Sequence, residues 1–431
     1  MELKPGFATA GRRGTAAARV VVIGRGASGV LVTLRLLRHG SAHLLNTRVS
    51  NMSAHADEPD HFVEWLRAGR DPMASPSDFV ARALHGRYLA ETLAGTEGRD
   101  RLIRLQAEAV RLVPGPHGVA VHLAGGQVLS ADHVVLATGH ALPQADPGGA
   151  VSQPWGDGAR PDPDADALIV GTGLTMVDQV LNLLDAGHRG RIEAVSRRGM
   201  LPQPHADAAP LALGDGELPP GPPVSATLRR MRRRLAETEA QGGDWRPVVG
   251  GLRPHVQRLW QALDTDARAR FLSHARSWWE VHRHRLPPAS AARLETARAD
   301  GRVLLRRAAF LGAARGPDGT IAVRLRPTSA ATDEVRRFGH VLDCCGIRRD
   351  PGRHAAPVIR RLLAEGLAHP DPLRLGLAVD GLARVLRPDG TPLPGVVALG
   401  PVSRPGFREV TEVPDIRQQA ARLSNPLLDP A

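Results

Sequence analysis

The sequence predicts an α/β protein with two Rossmann-like dinucleotide-binding domains and a helical insertion, the second domain inserted into a discontinuous first. Three observations predict it. A strand, a glycine-rich turn and a helix follow one another over residues 20–38; a second copy starts 147 positions later; and later apolar strands end in glycine turns that would close each unit.

In the first copy, Val20-Val21-Val22-Ile23 is a β-branched run leading into Gly24-Arg25-Gly26-Ala27-Ser28-Gly29. Gly24 permits a tight turn, Gly26 a close backbone approach to a pyrophosphate, and Gly29 close packing of helix on strand. The helix N-terminus then offers free N–H groups to the anion, so Gly24, Gly26, Ala27, Ser28 and Gly29 are candidate dinucleotide ligands. In the second copy, Ala167-Leu168-Ile169-Val170 is the strand and Gly171-Thr172-Gly173-Leu174-Thr175-Met176 the turn. Gly171, Gly173, Leu174 and Thr175 are its candidates, and Met176 in place of the third glycine sets the helix further from its strand.

The closing strands are 131–139, ending at Thr138-Gly139, and 340–346, ending at Cys344-Cys345-Gly346. A third, 395–401, ends at Gly400-Pro401, and a helix follows from about Pro414 with Ile416 in its first turn. Proline-rich joints at 143–163 and 202–223 separate the parts. The expected domains are 19–145 with 340–425, then 164–223 with 287–339, with 224–286 as the helical insertion.

Composition excludes several classes. At 431 residues, with 42% hydrophobic and 23% charged, neither disorder nor a fibrous repeat is expected. No apolar run approaches the roughly 18 residues of a membrane span, and no secretory signal is read at the N-terminus, so a cytoplasmic protein is expected. The net charge of +12 is almost wholly arginine, Lys4 being the single lysine. With only 3% aromatics a base-stacking platform is poorly supplied, and the run 229–234 reads as a solvated helix face, so no nucleic-acid partner is expected.

The adjacent Cys344 and Cys345 cannot form the spaced pair of a dithiol relay. His282 and His284 sit two apart, a spacing that does not bring two side chains together on a helix, and no metal is expected. The same His-Arg-His-Arg run could instead face an anionic substrate.

These segments resemble the two-nucleotide flavoprotein family that includes FAD-dependent urate hydroxylase and the nitrosuccinate-forming aspartate N-monooxygenases. The resemblance runs through 21–29, His43-Leu44-Leu45-Asn46 with Met52-Ser53, Asp60-His61-Phe62, Gly86-Arg87-Tyr88-Leu89 and 135–139. It continues through 168–178, Ser196-Arg197-Arg198-Gly199 with Leu201-Pro202, Arg253-Pro254-His255, 281–285, Gly400-Pro401 and 412–417. It implies FAD held in the first domain, with Thr138, Gly139, Gly400, Pro401 and Ile416 at the flavin, and NAD(P)H in the second. One departure stands out. The first acidic residue after Gly29 is Asp57, 28 positions on, and only 14 positions separate Gly29 from His43. The family's second strand, with the carboxylate that holds a ribose, is therefore expected to be missing.

In the second domain, Ser196, Arg197 and Arg198 stand where a NADH site would place an acid, which points to NADPH through its 2′-phosphate. The resemblance implies an oxidoreductase in which a C4a-(hydro)peroxyflavin, formed with molecular oxygen, hydroxylates a small polar nitrogenous substrate. Asn46, His282 and His284 are the candidate catalytic residues. Two alternatives remain at this level: an NADPH-dependent flavin reductase or diaphorase, and an inactive nucleotide-binding remnant lacking FAD.

Overall fold

A computed structural model describes residues 18–24, 43–97, 99–140, 146, 148–155, 161–221, 223–346 and 348–428. Gly26, Ala27, Ser28 and Gly29 lie outside the described residues, as does the interval up to residue 42 where the second strand is expected to be missing.

The first sheet has the order β1-β5-β13-β12 and draws strands from both ends of the chain. β1 (Val20–Ile23) and β13 (Pro392–Ala398) both run parallel to β5 (His133–Leu136), Val21 facing Val134 and Val397 facing Val135. β12 (Arg384–Leu386) pairs antiparallel with β13. Val134, Val135 and Leu136 are consecutive and all buried, as a strand covered on both faces requires. β1 pairs only with β5 among the described residues, and its Val22 is 59% exposed.

The second sheet has the order β10-β9-β8-β7-β6-β11. β6 (Ala167–Val170), β7 (Ile192–Ser196), β8 (Val303–Arg315) and β11 (His340–Asp343) form its parallel part. β9 (Ile321–Pro327) and β10 (Glu334–Phe338) extend it antiparallel. β11 corrects the expected boundary at 340: it hydrogen-bonds to β6, so residues 340–343 belong to the second sheet and the chain returns to the first only afterwards. A small antiparallel sheet, β2 (Ala109–Gly115), β3 (Gly118–Leu123) and β4 (Val128–Ala131), packs into the core of the first.

The helices that place the site are few. α1 (His61–Arg67) and α2 (Arg82–Gly95) share an aromatic core around Phe62 and Tyr88. α3 (Leu174–Asp185) follows β6 and buries Met176, Val177, Val180, Leu181 and Leu183, an apolar stripe at helical spacing. The insertion begins with α4 (Val224–Ala240), whose Met231 is buried while Arg229, Arg230, Arg232 and Arg233 face solvent. α5 (Arg246–Leu252), α6 (Val256–Gln261) and α7 (Thr265–Arg270) lead through a π-helical turn (Phe271–Ala275) into α8 (Arg276–Arg283). Near the end, α9 (Val413–Leu428) returns to the first sheet. The insertion is bolted to this last segment: Trp260 Nε1 donates to the Pro405 carbonyl at 2.9 Å, and Trp279 Nε1 to Glu409 at 3.0 Å.

Candidate functional site

Each sheet carries the same backbone device at the carboxyl ends of its strands. In the first, the Ala137 N–H donates to the Ile23 carbonyl at 2.7 Å, and a Cβ on Gly24 would stand 2.3 Å from the Ala137 oxygen. In the second, the Cys344 N–H donates to the Val170 carbonyl at 2.7 Å, and a Cβ on Gly171 would stand 2.4 Å from the Cys344 oxygen. The first glycine of each motif is thus required because the closing strand passes directly against it. Gly171 also holds φ at +109°, which side chains resist.

Beyond Ala137, Thr138 leads into Gly139, where φ is +74°, and then into His140. Burial, and after it the charge of Arg404, pushes the His140 imidazole down to about 4, and among the described residues its Nδ1 has no partner. Beside it, β13 ends where Leu399 donates to the Leu136 carbonyl, and Gly400 opens a 3₁₀ turn (Gly400–Ser403) that includes Pro401. A closed ring of bonds fixes this turn. Gly400 N–H donates to Gln419 Oε1 at 2.8 Å, Gln419 Nε2 to Ser403 Oγ at 2.9 Å, and Ser403 Oγ to the Gly400 carbonyl at 2.8 Å. Ile416 lies under Gly400, and its own N–H is taken by the Glu412 carbonyl. Arg417 donates to the Ser53 carbonyl at 2.9 Å, which ties the segment after Asn46 to α9. The Asn46 carbonyl itself lies 3.0 Å from His205 Nε2.

At the second device, Gly173 precedes α3 without a side-chain cap, so the N–H groups of its first turn, around Leu174 and Thr175, stay available to an anion. Ser196 is already committed. Thr172 Oγ1 donates to the Met200 carbonyl, so in the 2.9 Å contact between the two hydroxyls Ser196 must be the donor, and Ser196 Oγ also accepts from Gly199 N–H. Arg198 is committed too, donating to the carbonyls of Ser273 and His274 at 2.8 and 3.0 Å. Arg197 is exposed and is the one of the three whose side chain keeps its donors free among the described residues.

The histidine pair of the insertion separates as its spacing requires. His282 Nδ1 lies 2.7 Å from the Trp278 carbonyl, while His284 Nδ1 lies 2.8 Å from Glu412 Oε1. Glu412 also meets Arg283 at 3.0 Å and Arg253 at 3.3 Å. Burial favours its neutral form, but Arg283, His284 and Arg253 together hold the carboxyl far below the usual range. Within the His-Arg-His-Arg run, Arg283 and His284 are therefore matched by the chain's own acids, among them Glu409 and Asp415, while His282 and Arg285 meet backbone carbonyls. Among the described residues one group with metal-ligand atoms is close together, His55, Asp57 and Glu58, within 4.8 Å. Its two acids are exposed, and it lies apart from both devices in sequence.

Sequence reasoning missed two buried arginines. Arg404 and Arg408 are buried, 9% and 4% exposed, against Glu280 and Arg276 of α8. In a chain with 56 basic residues, two more arginines carry no signal of burial. Their one legible mark is position, directly after the Gly400-Pro401 turn.

Residues 38–141 match the family described as FAD-NAD(P)-binding. Solved structures agree over nearly the whole chain. L-lysine 6-monooxygenase from Pseudomonas syringae superposes with a TM-score of 0.61 at 14% identity, covering 95% of this chain and 99% of that one. Ornithine N-hydroxylase from Kutzneria sp. 744, solved with reduced FAD, NADP+ and L-ornithine, gives 0.60 at 14%, covering 96% and 99%. The FAD-bound cadaverine monooxygenase of Erwinia amylovora gives 0.62 at 11%, covering 96% and 95%. This chain has the two-domain FAD/NAD(P)-binding flavoprotein fold. The two glycine devices stand at the carboxyl ends of the parallel strands of that fold. No curated protein sequence matches the chain. Among the described residues, no helix is long and apolar enough to cross a membrane.

Proposed function

We propose that this protein is an FAD- and NADPH-dependent monooxygenase that hydroxylates a small polar nitrogenous substrate. The observation that carries the reading is the duplicated device, Gly24 against Ala137 and Gly171 against Cys344, which frames two nucleotide crevices in one chain. The residues present fit FAD at the flavin end: Gly139 and Gly400 both hold positive φ, and α9 begins beside them. They fit NADPH at α3 and Arg197. Bound FAD, reduced by NADPH, would supply the activation of molecular oxygen.

The chain's own residues supply position and electrostatics. The Gly400–Ser403–Gln419 ring keeps the turn rigid, and Gly139 lets the backbone pass without a side chain. Glu412, at the N-terminus of α9, stays ionised through Arg283 and His284, so it adds no proton of its own to the site at neutral pH. Oxygen is favoured over a disulfide as acceptor because the two cysteines are adjacent, and burial pushes the Cys344 thiol up, which leaves it a poor nucleophile.

The test is an absorbance spectrum of the purified protein before and after excess FAD and desalting, followed by NADPH oxidation with candidate amines and amino acids. Retained flavin, faster oxidation of NADPH than NADH, and a hydroxylated product are expected. Failure to retain flavin would overturn the proposal, in favour of a nucleotide-binding remnant; oxidation with a quinone but no hydroxylated product would favour a reductase.

A further inference from the structure

Among the described residues, Arg276, Arg404 and Arg408 share Glu280, and Glu409 is the other acid whose charge reaches the two buried arginines. Arg276 Nε donates to Glu280 Oε1 at 2.9 Å, but Arg404 and Arg408 stand 3.7 and 3.6 Å from the same oxygen, beyond hydrogen-bond reach. Arg404 Nε and both Nε and Nη2 of Arg408 are buried with no acceptor. Burial lowers Arg404 to about 9 and lowers Arg408 as well, yet both remain cations at neutral pH. Arg408 lies against the rings of Trp260 and Phe271, 5.6 and 5.7 Å from their centroids. Desolvated guanidiniums short of acceptors are costly unless a ligand completes them.

Their place in the fold says which ligand. Arg404 directly follows the 3₁₀ turn at the end of β13, and its charge acts on His140 beyond β5. Arg349, beyond β11, feels the charges of Arg276, Glu280, Arg408 and Arg197. The cluster therefore lies outside the carboxyl ends of strands from both sheets, the crevice where such folds bind their reactants. We infer that Arg404 and Arg408, with Arg276, receive the carboxylate of a small carboxylic or amino acid, which takes the role of reactant if the proposed function holds. The planar fork of each guanidinium suits a carboxylate, and Glu280 is the internal carboxylate that stands at the same donors.

The test uses the full chain and binding readouts, tryptophan fluorescence from Trp260 and Trp279 and the thermal midpoint. Succinate is the probe, succinamide its neutral counterpart, and inorganic phosphate and NADP+ are the competing sources of anion. Succinate should bind saturably and succinamide should not. Arg404→Gln and Arg408→Gln should each weaken succinate by about tenfold or more while leaving NADP+ binding unchanged. Glu280→Gln should tighten succinate, because it removes the competing internal carboxylate. Should Arg408→Gln not fold, Arg404→Lys and Glu280→Gln carry the test. Equal binding of succinamide, unaltered succinate binding in folded variants, or a parallel loss of NADP+ and phosphate binding in Arg404→Gln would overturn the inference. Succinate binding without NADPH oxidation sinks the proposed function and leaves this site standing; oxidation driven by an uncharged amine, with no succinate binding, does the reverse.

Discussion

Gly171 packs its α-carbon against the Cys344 carbonyl so closely that a methyl group there would stand 2.4 Å from the oxygen. Gly24 repeats the relationship with Ala137 at 2.3 Å, 147 positions earlier. The two contacts are local consequences of parallel strands running side by side, yet they set where each crossing chain lies, and so where a nucleotide has room. Gly171→Ala carries two penalties, overpacking and a side chain at φ +109°. It should cost roughly 3 kcal/mol in urea unfolding, against roughly 2 for Gly24→Ala. Each should lower affinity for its own nucleotide first: NADP+ for Gly171→Ala, FAD for Gly24→Ala. A Gly171→Ala protein with wild-type urea midpoint and NADP+ affinity would sink the argument.

Arg82 on α2 and Asp178 on α3 form one of the ties between the first half of the chain and the second nucleotide unit. The pair is bidentate, 2.8 and 3.0 Å, and both side chains are largely buried. Removing one partner of a buried pair leaves the other uncompensated, so Arg82→Met should cost about 3–5 kcal/mol. The double variant Arg82→Met/Asp178→Leu should recover much of that loss. A double-mutant cycle in urea reads the difference; additive losses would show that the pair does not couple.

Coenzyme choice is predicted to rest on Arg197 alone. Ser196 has spent its proton on Thr172, and Arg198 is bound to the carbonyls of Ser273 and His274. Arg197→Gln should raise the KM for NADPH by about tenfold or more and leave that for NADH unchanged, the value of one charge-assisted contact. Arg198→Gln should instead lower the thermal midpoint, because it releases the insertion from the end of β7. Steady-state kinetics with both coenzymes separates the two arginines, and an equal effect of both on NADPH would contradict the assignment.

The strands and the first glycine of each turn were legible because short apolar runs ending in glycine have few alternatives. What the runs could not reveal was partnership. His340-Val341-Leu342-Asp343 is apolar at its centre and would suit either sheet, and only the hydrogen bonds to Ala167–Val170 assign it to the second. The candidates at 196–198 were readable as residue types, but whether a hydroxyl or guanidinium is free depends on neighbours 24 to 76 positions away. Arg404 and Arg408 were invisible for the same reason, since their meaning comes from burial against Glu280.

One buried and two half-buried histidines predict an acid-labile fold. Burial is the largest cause in each case, and it pushes His85, His140 and His205 down to about 4. Each pKa is lower in the folded chain than the roughly 6.5 of an unfolded histidine. The contribution of each is therefore complete above pH 6.5 and is lost as pH falls from there through 4. Glu412 follows a separate window. Its folded pKa lies far below the ordinary carboxylate value, so its contribution begins to fall only below about pH 4.3. Urea midpoints at pH 7.5, 5.5 and 4.5 should therefore decline before Glu412 titrates. His140→Leu should flatten part of that decline, since its Nδ1 has no partner to lose and its burial no longer opposes a proton. Glu412→Gln should lower the midpoint at every pH, since it leaves Arg283 without its nearest carboxylate. A midpoint that stays level from pH 7.5 to 4.5 would show that these imidazoles are not held neutral by the fold.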